Sequence, residues 1–143
     1  MRPKTSPRAT ARRRGTAVVE FAVIAPVLVF LTVGIVEMTR GFQVREILSD
    51  AARRGCRSGI QPGSSNSAVT TDINDVLTKN SITSTDATIT ITVNGNTADV
   101  STAVQNDKVL VQISIPASKV AWITPVFLSS SRNIVESITM MRQ

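Results

Sequence analysis

The chain has 143 residues, with sixteen Lys and Arg against ten Asp and Glu and a formal charge of +6, which leaves room for one ordinary domain and an anchor but not for a large catalytic domain. Six of those cations, Arg2, Lys4, Arg8, Arg12, Arg13 and Arg14, precede Gly15 with no acidic residue among them, so the rest of the chain carries ten charges of each sign. The basicity belongs to a leader rather than to a nucleic-acid-binding face, and with no Tyr, one Trp and four Phe the chain lacks the aromatic platforms on which single strands stack.

Residues 16–36 read TAVVEFAVIAPVLVFLTVGIV, in which Glu20 is the only charge. At about 1.5 Å per residue this run spans roughly 30 Å, enough to cross a bilayer. A core helix of a soluble protein normally keeps a polar face, and residues 21–36 have no charge on any face. A cleaved secretory signal fits poorly, because the run is longer than a usual signal core and ends in Thr32-Val33-Gly34 rather than in a small-residue cleavage site. The leader cations outnumber Arg40, Arg45, Arg53 and Arg54 beyond the run, which favours a cytoplasmic N-terminus and a C-terminal head outside the cytoplasm.

Residues 37–58 contain no proline, and Val44, Leu48, Ala51 and Gly55 recur at spacings of three and four, so the helix is expected to continue as a stalk with one narrow packing face. GIQPGSSNS at 59–67 ends it as a loop. Val69, Ile73, Val76 and Leu77 then mark a short amphipathic helix, with Ser67 as the expected N-cap and Lys79 near its end.

Residues 87–93 alternate, with Ala87, Ile89, Ile91 and Val93 on one side and three threonines on the other, and Asn94-Gly95 follows as a turn signal. A second strand is expected at 108–115, where Val109, Val111, Ile113 and Ile115 face one way before Pro116 closes it. Residues 120–128, with Trp122, Pro125 and Phe127, read as an apolar loop over the sheet edge, and 133–141 as a final strand. The fold class is α+β: a basic leader at 1–15, a transmembrane helix at 16–36, a stalk at 37–58, and a small antiparallel-sheet head at 59–143, in a pilin-like arrangement.

The absence of histidine removes the usual general base, the nucleophile pairings that depend on it and His-containing metal sites. Asp72, Asp75, Asp86, Asp99 and Asp107 lack calcium-loop spacing and read as solvated charge. Cys56, the only cysteine, has no partner for an intrachain disulfide and reads as a small apolar residue, although Arg53, Arg54 and Arg57 around it would activate an exposed thiol. No cofactor, metal or enzymatic activity is expected. Glu20 stands apart, because a carboxylate in a membrane helix costs about 2.5 to 3.5 kcal/mol near the centre and less toward the edge. If the chain is cut after Gly15, Thr16 carries a new α-amino group with a pKa of about 8 and Glu20 becomes the fifth residue, able to neutralise that amine or a neighbour's.

The segment Arg12-Arg13-Arg14-Gly15-Thr16-Ala17-Val18-Val19-Glu20-Phe21, the apolar run with Pro26, and Gly34-Ile35-Val36-Glu37 ahead of Arg40 resemble the TadE-like pseudopilins of tight-adherence pilus systems. The resemblance is specific over residues 12–40 and diffuse over the head. It implies cleavage by a prepilin peptidase between Gly15 and Thr16, residence in the bacterial inner membrane or at the pilus base, and a role as a minor subunit in pilus assembly, adhesion or secretion. Its partners would be membrane lipid, the peptidase, other pilin or pseudopilin subunits through Glu20 and Phe21, and the assembly machinery. A single-pass anchored module whose head binds a ligand or envelope component is the alternative.

Overall fold

The computed structural model describes the backbone of residues 8–121 and 132–143, and side chains from residue 15 onward within them. Most of the apolar loop expected at 120–128, including Trp122, Pro125 and Phe127, lies outside the described residues, as do the first seven residues of the leader. The first element is helix α1, Arg8–Gly59. By internal contacts the chain divides after Val36 into two compact units.

In the first unit α1 carries the apolar run, with Pro26 inside it. A proline there deprives the Ala22 carbonyl of its helical donor. The Thr32 hydroxyl donates to the Leu28 carbonyl at 2.8 Å, the usual way a threonine satisfies itself inside an apolar helix. Eleven large apolar side chains between Val18 and Ile35 are more than half exposed, and they occupy every face.

The second unit opens with the rest of α1, followed by helix α2, Asn66–Lys79, and three strands: β1, Thr88–Val93, β2, Lys108–Pro116, and β3, Asn133–Met141. The sheet is antiparallel throughout with order β1-β2-β3, so the α+β class holds: a long apolar helix ahead of a small three-stranded sheet. Alternation sets its two faces. Val109, Val111, Ile113 and Ile115 of β2 are fully buried, in register with Val93, Ile91 and Ile89 on one side and with Met140, Ile138 and Ile134 on the other. The opposite face carries Thr88, Thr90 and Thr92 beside Leu110, Gln112 and Ser114, a composition suited to water.

The inner face is covered by helices. Val44, Leu48, Ala51, Ala52 and Cys56 of α1 and Val69, Ile73 and Leu77 of α2 are fully buried in the same core as the strands. The two helices approach closely because α1 presents glycines: a Cβ at Gly55 would lie 2.7 Å from Ile73, and one at Gly59 would lie 3.3 to 3.4 Å from Val109, Val100 and Val69. The α2 cap differs from the sequence expectation. Ser65, not Ser67, is the N-cap, its hydroxyl accepting from the Ala68 amide. The helix begins at Asn66, whose side chain accepts from the Val100 amide at 3.0 Å and donates to the Ala98 carbonyl at 3.2 Å, clipping the β1–β2 connection to the first turn of α2.

Asn94 and Gly95 both adopt positive φ, 52° and 85°, and Val93 and Asn96 exchange backbone hydrogen bonds of 2.9 and 3.0 Å, as a two-residue hairpin turn requires. The turn does not lead directly into β2, because Val93 stands opposite Val109. Residues 96–107 make an excursion that buries Val100.

Candidate functional site

Gly15, Thr16, Glu20 and Phe21 all lie on α1 and are exposed. Thr16 and Glu20 are four residues apart, which places them on one face, one turn apart and about 6 Å along the axis. Phe21 is 68% exposed. Among the described residues nothing lies within 4 Å of a Cβ built on Gly15, so no packing among them requires a glycine there, in contrast to Gly55. The Gly15–Thr16 bond sits inside helical backbone.

The adjoining surface is a continuous apolar cylinder. Gly15–Gly59 includes a segment long and apolar enough to cross a membrane, none of it buried, whereas the core helix of a soluble protein would be mostly buried. At about 1.5 to 3 kcal/mol for fully burying a large apolar side chain, eleven that stay little more than half exposed forgo on the order of 10 to 20 kcal/mol, comparable with the whole stability of a typical domain. This surface suits lipid or other apolar helices, and the segment could span a membrane.

Residues 15–57 match the model of TadE-like protein. This is the family the sequence resembles, and the TadE-like segment takes in the candidate site, the whole apolar run and the α1 residues from Val44 to Cys56 that enter the core. It stops before α2 and the sheet. The family is structural and pilus-associated, and with the candidate spanning helix it supports a pilus-related membrane protein. No curated protein and no solved structure matches the chain.

Of the other residues singled out in the sequence, Asp72 and Asp75 share one pocket with Arg54 and Arg57. Cys56 is fully buried, its thiol 3.1 Å from the Ile138 carbonyl, and burial pushes its pKa up, the opposite of an activated thiol. Asp86 pairs with Lys119 at 3.2 Å. Asp99 accepts from the Ser101 amide at 2.8 Å, and Asp107 accepts from the Val104 amide at 2.8 Å and from the Asn94 side chain at 2.7 Å. These bonds to the ionised form hold both carboxyls below their ordinary range, so Asp99 and Asp107 brace the β1–β2 excursion and are not merely solvated charge. Among the described residues no group of three or more His, Cys, Asp and Glu is placed to hold a metal.

Sequence reasoning missed the pair of Arg45 and Glu136, which the fold brings together across 91 residues. The available signal was the alternation Ile134, Glu136, Ile138, Met140, which puts a carboxylate in an inward position.

Proposed function

We propose that the chain is a minor pseudopilin: a structural subunit made with residues 1–15 as a cytoplasmic leader, cut between Gly15 and Thr16 by a prepilin peptidase, and held in the bacterial inner membrane by residues 16–36. Its head at 59–143, joined through residues 37–58, lies outside the cytoplasm and contributes to tight-adherence pilus assembly, adhesion or secretion. The observation that carries the reading is an apolar helix exposed on every face, whose single charge, Glu20, stands one turn beyond the Gly15–Thr16 bond inside the TadE-like segment.

The chemistry follows from the cut. Hydrolysis removes all six leader cations and leaves Thr16 with an α-amino group that is largely protonated at neutral pH. That ammonium must share the membrane edge with the Glu20 carboxylate. Within one chain the two are close enough to neutralise each other. Between chains, Glu20 can pair with the N-terminus of a neighbour, so that packing two apolar helices leaves no charge without its counter-ion. Phe21, next to Glu20 and exposed, supplies apolar contact to the same neighbour. A merely anchored binding module would need neither the glycine at the junction nor a carboxylate at this spacing.

Intact-mass analysis of protein extracted from the membranes of its native host tests the reading. The expected species begins at Thr16 and retains the apolar run. A full-length chain from a host that carries the peptidase, or a cut near Gly34, overturns it.

A further inference from the structure

The order of the sheet leaves β3 with β2 on one side and, among the described residues, no strand on the other. The register fixes which backbone groups face that open side. Ala117 donates to the Arg132 carbonyl and Arg142 to the Asp107 carbonyl, each one step beyond an end of the β2–β3 ladder. Even-numbered residues of β3 therefore bond to β2, and the odd-numbered ones turn their N–H and C=O outward, as antiparallel alternation requires. Asn133, Val135, Ser137, Thr139 and Met141 thus present a row of donors and acceptors that nothing among the described residues takes up. The opposite edge of the sheet is shorter and partly closed, because Val93 and Asn96 exchange bonds there. The inner side of the β3 edge is also incompletely covered. Ile134, Ile138 and Met140 are only partly buried, and within the second unit α1 and the start of β3 enclose a groove of about 430 Å³ that exposed Met38 and Phe42 line. Arg132 lines it too, and among the described residues its guanidinium has no acidic partner.

We propose that the β3 edge and its groove dock an extended strand of a different protein, antiparallel to β3, with apolar inward side chains and a carboxylate against Arg132. A strand is the partner that a row of outward backbone groups selects. Its alternate side chains complete the half-covered row of Ile134, Ile138 and Met140 and enter the groove beside Met38 and Phe42, and a carboxylate gives the Arg132 guanidinium its two-donor partner. Glu136 sets the register. On the open side it occupies a non-hydrogen-bonded position, where opposing side chains come closest, so the added strand needs a neutral residue there, and a slip that brought its carboxylate opposite Glu136 would set like charges face to face. An edge guarded in this way turns away most strands and admits one pattern. The carboxylate comes from outside this chain: among its three strands only Glu136 is acidic, and Arg45 already holds it. The inference goes beyond the pseudopilin reading, since it concerns the head alone and does not depend on the cut at Gly15.

Residue-resolved amide hydrogen exchange of the full chain in detergent micelles tests the proposal. The probe is a peptide blocked at both ends, Val-Lys-Val-Thr-Thr-Lys-Val-Thr-Glu, added at millimolar concentration and compared with a counterpart ending in Lys. Laid antiparallel to β3, it sets Val opposite Met140, Ile138 and Ile134, Thr opposite Glu136, and Glu opposite Arg132. The peptide ending in Glu is expected to slow exchange at the Val135, Ser137 and Thr139 amides by about tenfold or more, and the peptide ending in Lys to leave them unchanged. In Arg132→Glu, a substitution at an exposed side chain, the preference should reverse. Equal protection by both peptides, protection by neither, or a preference that survives Arg132→Glu overturns the proposal. So does protection of the three amides before any peptide is added, which assigns the edge to a second copy if dilution removes it and to this chain's own residues if it does not.

Discussion

Arg45 on α1 is bound to Glu136, the one charged residue at an inward-facing position of β3, where it stands opposite Ile113 with Ile134 and Ile138 two residues to either side. The Glu136 side chain is 16% exposed against 66% for Arg45, so the arginine reaches over from solvent to neutralise a largely desolvated carboxylate. A charge on the inner side of an edge strand also discourages another strand from adding there.

Arg45→Ala is therefore expected to destabilise the head by about 1 kcal/mol, the cost of leaving a partly buried carboxylate short of its partner, reduced because Arg45 is itself largely exposed. Glu136→Val is expected to cost less, and to be neutral or stabilising as apolar replacements of such groups often are. It should also promote self-association through β3. Urea titration of each variant and sedimentation of Glu136→Val check the two halves, and equal losses in both variants would count against this account of the pair.

Gly55→Ala is expected to destabilise by about 1 to 3 kcal/mol, as overpacking does, although alanine is favoured over glycine by about 1 kcal/mol in an unconstrained helix. The added methyl would meet Ile73 at 2.7 Å. Ile73→Val removes one of the two atoms at that distance, Cδ1, and keeps Cγ1, so the double variant should recover part of the loss, a coupling that a double-mutant cycle in urea would measure.

These two contacts mark where the sequence was legible. The strands at 108–115 and 133–141 could be read because alternating burial is a local consequence of the pleat, and the helix at 66–79 because Val69, Ile73, Val76 and Leu77 repeat at its period. Arg45 with Glu136 and Gly55 with Ile73 could not, because partners far apart in sequence are fixed by packing that no window of residues contains. The N-cap of α2 was misplaced by two residues for the same reason: the bonds from Asn66 to Ala98 and Val100 set where the helix begins. At the candidate site the balance is reversed. Gly15, Glu20 and Phe21 stand in one short helical stretch, so their spacing is visible in the sequence, while what they would bind lies outside the chain.

Cys56→Ala is expected to fold, at a cost on the order of 1 kcal/mol for the lost sulfur contacts, and native protein should resist a thiol reagent that modifies it fully in urea. The sign of the pH effect is fixed by burial. With the folded-state pKa raised, the contribution of the neutral thiol is fully present below its unfolded value of about 8.5 and is lost as pH rises through the folded value. The alanine variant should lose less stability than wild type between pH 8 and pH 11, on the order-of-magnitude expectation from that linkage.

Asp107 acts at the other end of the scale. Its carboxyl is held below the ordinary range, chiefly by the Val104 amide and then by the Asn94 side chain, so its contribution is present above the unfolded value of about 3.9 and is lost as pH falls through the folded value. Asp107→Asn should flatten the acid limb of a urea-stability profile between about pH 5 and pH 2. An unchanged slope in that variant would transfer the acid sensitivity to other carboxylates.

Glu20 separates insertion from assembly. Replacing it with valine removes a polar group from the margin of the apolar run, and the energetic penalty for a carboxylate there has one sign only, so the amount of protein in the membrane fraction should stay level or rise. Assembly should respond the other way. If subunits meet with the Thr16 ammonium of one against the Glu20 carboxylate of another, removing the carboxylate leaves a cation without its counter-ion in an apolar contact, a loss of about 2 kcal/mol or more for a desolvated pair, or roughly thirtyfold in incorporation. Glu20→Gln sharpens the test because it keeps size and hydrogen-bonding capacity while abolishing the charge. Pilus incorporation, measured by immunogold counting against the membrane pool of the same cells, should therefore drop in both variants and by a similar factor. Wild-type incorporation with glutamine and loss only with valine would show that Glu20 acts as a hydrogen-bonding polar group, and normal incorporation in both would show that the carboxylate does no more than reach the headgroup layer.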